Sequence, residues 1–237
     1  MTRRRWIADN WTATHAVLTG SQAAHLARVL RAAPGQTCDV VAGGHLHRAE
    51  ILTVAPDEVR FLLHEELSNQ SALPLHLLLA VFKFDRFEWA LEKAVELGVA
   101  RVTPILATRT EKHLVAAAAK RCERWRRIAL ESAQQSRRGD SPAIDAPLPL
   151  ADALASAADA PRRILLAETE QETPLAAALT ANPGAPTALA VGPIGGWTNV
   201  EMQAFAAAQW QAVTLGPRIL RAETAAIAAL AIASALF

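Results

Sequence analysis

Three apolar runs in the second half of the chain, Ile164–Ala167, Thr187–Val191 and Ala212–Leu215, each end in a short, sharply punctuated loop. Two more, Leu75–Phe82 and Val99–Leu106, precede them. Runs this short and this apolar fit strands buried on both faces. Between them lie stretches with helical spacing. After Leu75–Phe82, residues Phe87, Leu91, Ala94 and Val95 fall on one face, with Asp85 placed to cap the helix and Gly98 to stop it. Val115–Ser136 reads as a longer helix rich in Arg. Strands alternating with helices predict a parallel sheet with crossover connections, hence an α/β fold.

The first seventy residues follow a different rhythm. Gln36–Ala42 and Arg48–Val54 read as strands around a Gly43-Gly44 turn, and Glu58–Leu63 as a third. Arg5-Trp6-Ile7 reads as the start of a first strand, and Ser21–Arg31 as one short helix capped by Ser21. Short strands and tight turns suggest a small barrel. Glu65–Pro74 is polar and reads as a linker, so a β-rich domain is expected over 1–70 and an α/β domain over 74–237.

Composition narrows the class. Apolar residues make up 51% and charged residues 20%, a balance that supports a sizeable core and excludes a disordered chain. Cys38 and Cys122 stand far apart with no CxxC, which argues against a disulfide framework or a structural zinc. His45 and His47 alternate near a hairpin and supply too few ligands for a metal. The opening Met1–Trp6 lacks the apolar stretch of a signal peptide, and the apolar run Thr224–Phe237 falls short of the roughly 20 residues that span a bilayer. A cytoplasmic chain with no metal and no membrane partner is expected. The net charge is +1 but uneven: residues 74–140 hold 13 Lys and Arg against 8 Asp and Glu, and residues 141–237 hold 4 against 8. A basic middle suits an anionic polymer.

Ligands of parallel sheets bind at the carboxyl ends of strands. Those ends are Leu165–Thr169, Ala190–Gly196 and Leu215–Thr224, where glycines let a ligand approach the backbone and two Gly-Pro pairs fix turns. One such loop would be an ordinary turn; three in succession point to a site. No GxGxxG opens an early βα unit and no GxxxxGK[ST] occurs, so neither a dinucleotide-binding domain nor a P-loop hydrolase is supported.

The sequence of these loops is more specific than their positions. Val191-Gly-Pro-Ile-Gly-Gly196 and Leu215-Gly-Pro-Arg-Ile-Leu-Arg-Ala-Glu-Thr-Ala225 resemble the signature of the bacterial 16S ribosomal RNA uridine N3-methyltransferase family, of the knotted SPOUT class. Lys83-Phe-Asp-Arg86 with Glu92–Gly98, Glu131–Ser136 and His25–Arg31 agree with it, so the likeness runs from near Arg5 to the C-terminal helix. It implies a PUA-like N-terminal β-barrel, a C-terminal trefoil-knotted parallel-sheet domain, a homodimer, S-adenosylmethionine as cofactor and small-subunit ribosomal RNA as substrate. There are departures. Ile194 stands where the family carries Glu, Ala222 where it carries Thr, and Phe84 where it carries Gly. No role of the family's Glu transfers to Ile194.

By this resemblance the loops hold S-adenosylmethionine. Backbone groups of Leu166, Gly192, Leu215 and Leu220 bond adenine and ribose, Gly195, Gly196 and Gly216 permit close approach, and Ile219 and Leu220 sandwich the adenine. Ala167, Glu168, Val191 and Thr224 complete the expected cofactor site. Methylation at uridine N3 requires loss of the N3 proton, which leaves charge on the uracil carbonyls. Arg221 is the residue expected to stabilise that charge, with Glu223 as base or as the group that orients it. The alternative is a structural ion pair of Arg221 with Glu223 or Glu201. RNA contacts are expected from Arg5, His25, Arg28, Arg31, Lys83 and Arg86, with Arg3 and Arg4 gripping phosphate and Trp6 stacking on a base. Two other functions stay open: a knotted methyltransferase for another RNA, and a non-catalytic RNA-binding assembly factor.

Overall fold

A computed structural model describes residues 5–68 and 72–237. The chain divides into two compact units, residues 1–71 with 133–141, and residues 72–132 with 142–237.

In the first unit the described residues form a six-stranded sheet. Its strands are β1 (Trp6–Ile7), β2 (Asn10–Trp11), β3 (His15–Thr19), β4 (Thr37–Ala42), β5 (His45–Val54) and β6 (Glu58–Leu67), in the order β1-β4-β5-β6-β3-β2. β1 runs parallel to β4 and the other pairs are antiparallel. Gly43 and Gly44 both have positive φ, as the tight turn joining β4 to β5 requires. Alternating side chains of these strands make the core, with Trp6, Leu18, Phe61 and the helical Leu26 fully or almost fully buried. Burial of each such side chain contributes about 1.5–3 kcal/mol.

Two details depart from the sequence reading. Instead of one helix over Ser21–Arg31 there is a five-residue helix α1 (Gly20–Ala24) followed by a wider π turn, His25–Val29. Its N-cap is Thr19, not Ser21, and the Thr19 hydroxyl and N–H are both spent on the Asp9 carboxylate. Trp6, expected to stack on a base, is wholly inside the core and has no face to offer.

In the second unit strands and helices alternate: β7 (Leu73–Ala80), α2 (Phe84–Glu96), β8 (Val99–Leu106), α3 (Lys112–Gln135), β9 (Ala143–Ile144), β10 (Leu148–Pro149), α4 (Leu150–Ala155), β11 (Arg162–Leu166), α5 (Leu175–Thr180), β12 (Thr187–Val191), α6 (Asn199–Ala207), β13 (Gln211–Val213) and α7 (Ala222–Ser234). The last residues of α3 belong to the first unit. Every described pairing is parallel, in the order β10-β8-β7-β12-β11-β13 with β9 beside β8. β7 sits between β8 and β12, which is why Leu77, Leu78 and Leu79 point both ways and are all fully buried. Asp85 does not cap α2: Lys83 holds that position without a side-chain bond, and Asp85 lies in the first turn, where its charge still meets the helix dipole. Gly98 ends the helix at φ +90°, and a Cβ there would come within 3.0 Å of Leu73.

A polar chain crosses this sheet away from its loop ends. Thr103 is fully buried and its hydroxyl donates to Asp145, so it can only accept from His76, whose Nε2 lies 2.7 Å away and must carry the proton. Burial, with Arg101 nearby, pushes the His76 imidazole down to about 4, and Asp145 opposes the shift only in part. The unfolded chain therefore takes up this proton first. The stability that neutral His76 confers is complete above about pH 6.5 and is lost as pH falls toward 4. Wild-type protein should lose about 2 kcal/mol more than His76→Gln between pH 7 and 4, after allowance for partial solvent access. Urea unfolding across that range measures it, and parallel pH profiles would contradict it.

Candidate active site

The carboxyl ends of β11, β12 and β13 open onto a cavity of about 1280 Å³, lined also by the first turns of α2 and α7. The loops are tied to one another by backbone. Ala167 N–H donates to Val213 O at 3.1 Å, Thr214 N–H to Thr173 O at 2.9 Å, and Leu175 N–H to Thr214 O at 3.0 Å. Within its own loop, the Glu170 carboxylate accepts from Thr173 and Glu172 N–H, and those bonds hold it below the usual carboxylate range.

The glycine loop after β12 turns at Pro193, whose carbonyl accepts from Gly196 N–H at 3.0 Å. Gly195 and Gly196 have φ of +92° and +73°, a region an L side chain enters only with strain. Beneath the loop lies Trp197, and a Cβ on Gly192 would sit 3.1 Å from its indole nitrogen. Thr198 then starts α6 with a reciprocal capping box to Glu201. Burial alone would raise the Glu201 carboxyl, but hydrogen bonds from Thr108 and Thr198 bring it below its ordinary value. Glu201 is thus engaged and is not a partner for Arg221.

Nor is Glu223. It is 5% exposed, and its Oε1 lies 3.4 Å from Arg86 Nη1 while its Oε2 has no hydrogen-bond partner among the described residues. Arg86, read from the sequence as an RNA contact, is therefore an ion-pair partner inside the cavity wall. Arg221 is the N-cap of α7, is exposed, lines the same cavity and makes no ion pair among the described residues. Both structural pairings weighed for Arg221 are absent.

Of the residues expected to hold a cofactor, every one except Thr224 lines this cavity. Thr224 is exposed outside the lining because successive helical residues diverge by about 100°, and Glu223 and Ala225 take the inward positions. Ile219 is 81% exposed at the mouth. Lys83 is exposed and does not line the cavity. Within the first unit, Arg28 and Arg31 are exposed, His25 is half-buried with its ring 6.2 Å from that of Trp6, and the Arg5 guanidinium bonds the Arg137 carbonyl. Arg3 and Arg4 lie outside the described residues.

Sequence reasoning missed Arg109. It follows β8, lines the cavity, and its guanidinium donates to the carbonyls of Gly195, Gly196 and Trp197. The signal is in the sequence: Val99–Leu106 reads as a strand, and its carboxyl end is subject to the same rule as the other three.

Residues 69–234 match the family model described as an RNA methyltransferase domain. The chain belongs to this RNA methyltransferase family. Among its relatives is a ribosomal RNA small subunit methyltransferase E from Synechocystis sp., 36% identical over 92% of this chain and 72% of that one. Another of the same name, from Bacillus subtilis, is 30% identical over 90% and 87%. The solved ribosomal RNA small subunit methyltransferase E of Neisseria gonorrhoeae, bound to S-adenosyl methionine, superposes with a TM-score of 0.86 at 29% identity, over 100% of this chain and 98% of that one. Family membership makes the cavity at the strand ends the place to look for methyl transfer. Among the described residues no group of three His, Cys, Asp or Glu is placed to hold a metal, and no helix is long and apolar enough to cross a membrane.

Proposed function

We propose that this protein transfers a methyl group from S-adenosylmethionine to N3 of a uridine in small-subunit ribosomal RNA. The observation that carries the reading is a cavity walled by three strand-end loops, two of them glycine-bearing, with a guanidinium, Arg221, at its edge that makes no ion pair among the described residues. The cavity suits the cofactor: Gly195 and Gly196 line it without side chains, and a Cβ at Gly216 would meet nothing within 4 Å. Loop backbone at Leu166, Gly192, Leu215 and Leu220 would bind adenine and ribose, with apolar Leu220 and Ile219 against the ring. When bound, S-adenosylmethionine supplies the electrophilic methyl. Arg221 orients the uracil and stabilises the charge its carbonyls gain when N3 loses its proton. Glu223 Oε2, buried and without a hydrogen-bond partner among the described residues, is the carboxylate oxygen assigned to accept that proton.

The rest of the reading follows from the same family likeness. Residues 74–237 form a trefoil-knotted domain, which would account for three loops from separate strands meeting at one place. Residues 1–70 form a PUA-like barrel that grips RNA through Arg28, Arg31 and His25, and Lys83 adds a phosphate contact. The protein works in the cytoplasm as a homodimer, with the Ala-rich helix α7 near the interface. Base-resolved mass mapping of 16S ribosomal RNA from a strain lacking the protein should show one uridine that has lost its N3 methyl, restored by the wild-type gene. An unchanged 16S map, or a methyl lost only from transfer RNA, would overturn the assignment. Light scattering of the same preparation at micromolar concentration should give the dimer mass.

A further inference from the structure

Three carboxylates line the cavity, and two are engaged. Glu170 accepts the N–H groups of Glu172 and Thr173 at 2.8 and 2.9 Å, and Glu223 faces Arg86 at 3.4 Å. Glu168 is different. It is exposed and has neither an ion pair nor a hydrogen bond among the described residues. Arg109 is its counterpart in charge. Its guanidinium is fixed by the Gly195, Gly196 and Trp197 carbonyls, yet no carboxylate pairs with it among the described residues. The two groups flank one backbone position. A Cβ on Gly196 would lie 3.8 Å from Glu168 Oε2 and 3.9 Å from Arg109 Nη1.

Opposite charges so near, on a shared cavity wall and not joined to each other, match a ligand that carries both signs close together. An α-amino acid does so, with an ammonium and a carboxylate on one carbon. We propose that Arg109 and Glu168 hold the zwitterionic amino-acid end of the cofactor, the guanidinium taking the carboxylate and Glu168 the ammonium. Of the other charges lining the cavity, Glu170 is held by its own loop, Arg86 is paired with Glu223, Arg221 is assigned above to the base, and Arg218 is exposed on the separate loop that follows β13. Gly196 is required between the two groups because a side chain would project into the space the ligand's α-carbon needs. Arg suits the position better than Lys. Part of its fork can hold the loop carbonyls while the remaining N–H groups meet a carboxylate.

The inference rests on S-adenosylmethionine as the cofactor, and the experiment separates the two. Calorimetry compares S-adenosylhomocysteine, which has the amino-acid end, with 5′-methylthioadenosine, which lacks it. Wild-type protein should bind the first at least about 30-fold more tightly, as two charge-assisted contacts imply. Glu168→Gln and Arg109→Gln should each weaken S-adenosylhomocysteine on the order of 10-fold and change 5′-methylthioadenosine less than about 2-fold. Glu168→Gln is the cleaner arm, since that side chain makes no ion pair or hydrogen bond among the described residues. Binding of 5′-methylthioadenosine also shows that each variant keeps its loops. Equal affinity of wild type for both ligands would overturn the clamp alone. Equal weakening of both ligands by the variants would reduce Arg109 to a support for the glycine loop. Failure of wild type to bind either compound would instead remove the cofactor assignment, and the clamp with it.

Discussion

Replacing Arg221 with Ala should lower single-turnover methylation on the order of 100-fold or more, as loss of one oriented charge-stabilising group does elsewhere. Affinity for S-adenosylhomocysteine and thermal stability should hardly change. This pattern follows from what Arg221 does not touch. Its neighbour Glu223 is matched with Arg86, and Glu201 is consumed by Thr108 and Thr198. No ion pair is lost with the side chain, so the loss falls on the transition state, where uracil carries developing charge. Arg221→Lys should rescue only in part, because an ammonium lacks the planar fork that meets a carbonyl oxygen with two donors. A supporting role predicts the reverse, with cofactor affinity and melting temperature falling together. Near-normal turnover in Arg221→Ala would take the residue out of the mechanism.

The α/β layout was legible because its signals are local. A strand buried on both faces reads as a mainly apolar run, and Leu75–Phe82, Val99–Leu106 and Thr187–Val191 all show it, with His76, Arg101 and Thr103 the polar interruptions. The glycine loops were legible for the same reason: positive φ at Gly195, Gly196 and Gly216 demands glycine whatever surrounds it. Pairing was not legible. Arg86 and Glu223 are far apart in sequence and meet only because α2 packs against α7. Arg109 reaches the Gly195 carbonyl across a similar separation. The aromatic residues of the first unit show the same limit. Trp6 beside a run of arginines looks like a stacking platform, yet alternation in β1 turns it inward, and Trp11 on β2 is the exposed indole at 55%. The break of the first helix at Ala24 has no sequence signal that we can identify, since Ala and Leu on either side favour an ordinary helix.

Removing Arg86 should cost more stability than removing its partner. The Glu223 side chain is 7% exposed, whereas that of Arg86 is 37% exposed. In Arg86→Ala a carboxylate stays inside with neither oxygen paired among the described residues, because Oε2 has no partner there already. A stranded buried charge costs about 3 kcal/mol. That amounts to a fall of roughly 6–12 °C in melting temperature for a unit of this size. In Glu223→Gln the arginine can turn toward water, and the amide keeps the shape of the side chain, so the cost should be about 1 kcal/mol or less. The double variant Arg86→Ala/Glu223→Gln decides between charge and packing. If the loss in Arg86→Ala is the uncompensated charge, adding Glu223→Gln should return about 2 kcal/mol, a large coupling for two substitutions at one contact. If the guanidinium matters only for the surface it covers, the double variant will melt no higher than Arg86→Ala. The pair joins the first turn of α2 to the first turn of α7, whose N-cap is Arg221. Its loss should therefore also loosen the residue on which methyl transfer is proposed to depend. Arg86→Ala should lower turnover as well as stability, whereas Arg221→Ala should lower turnover alone.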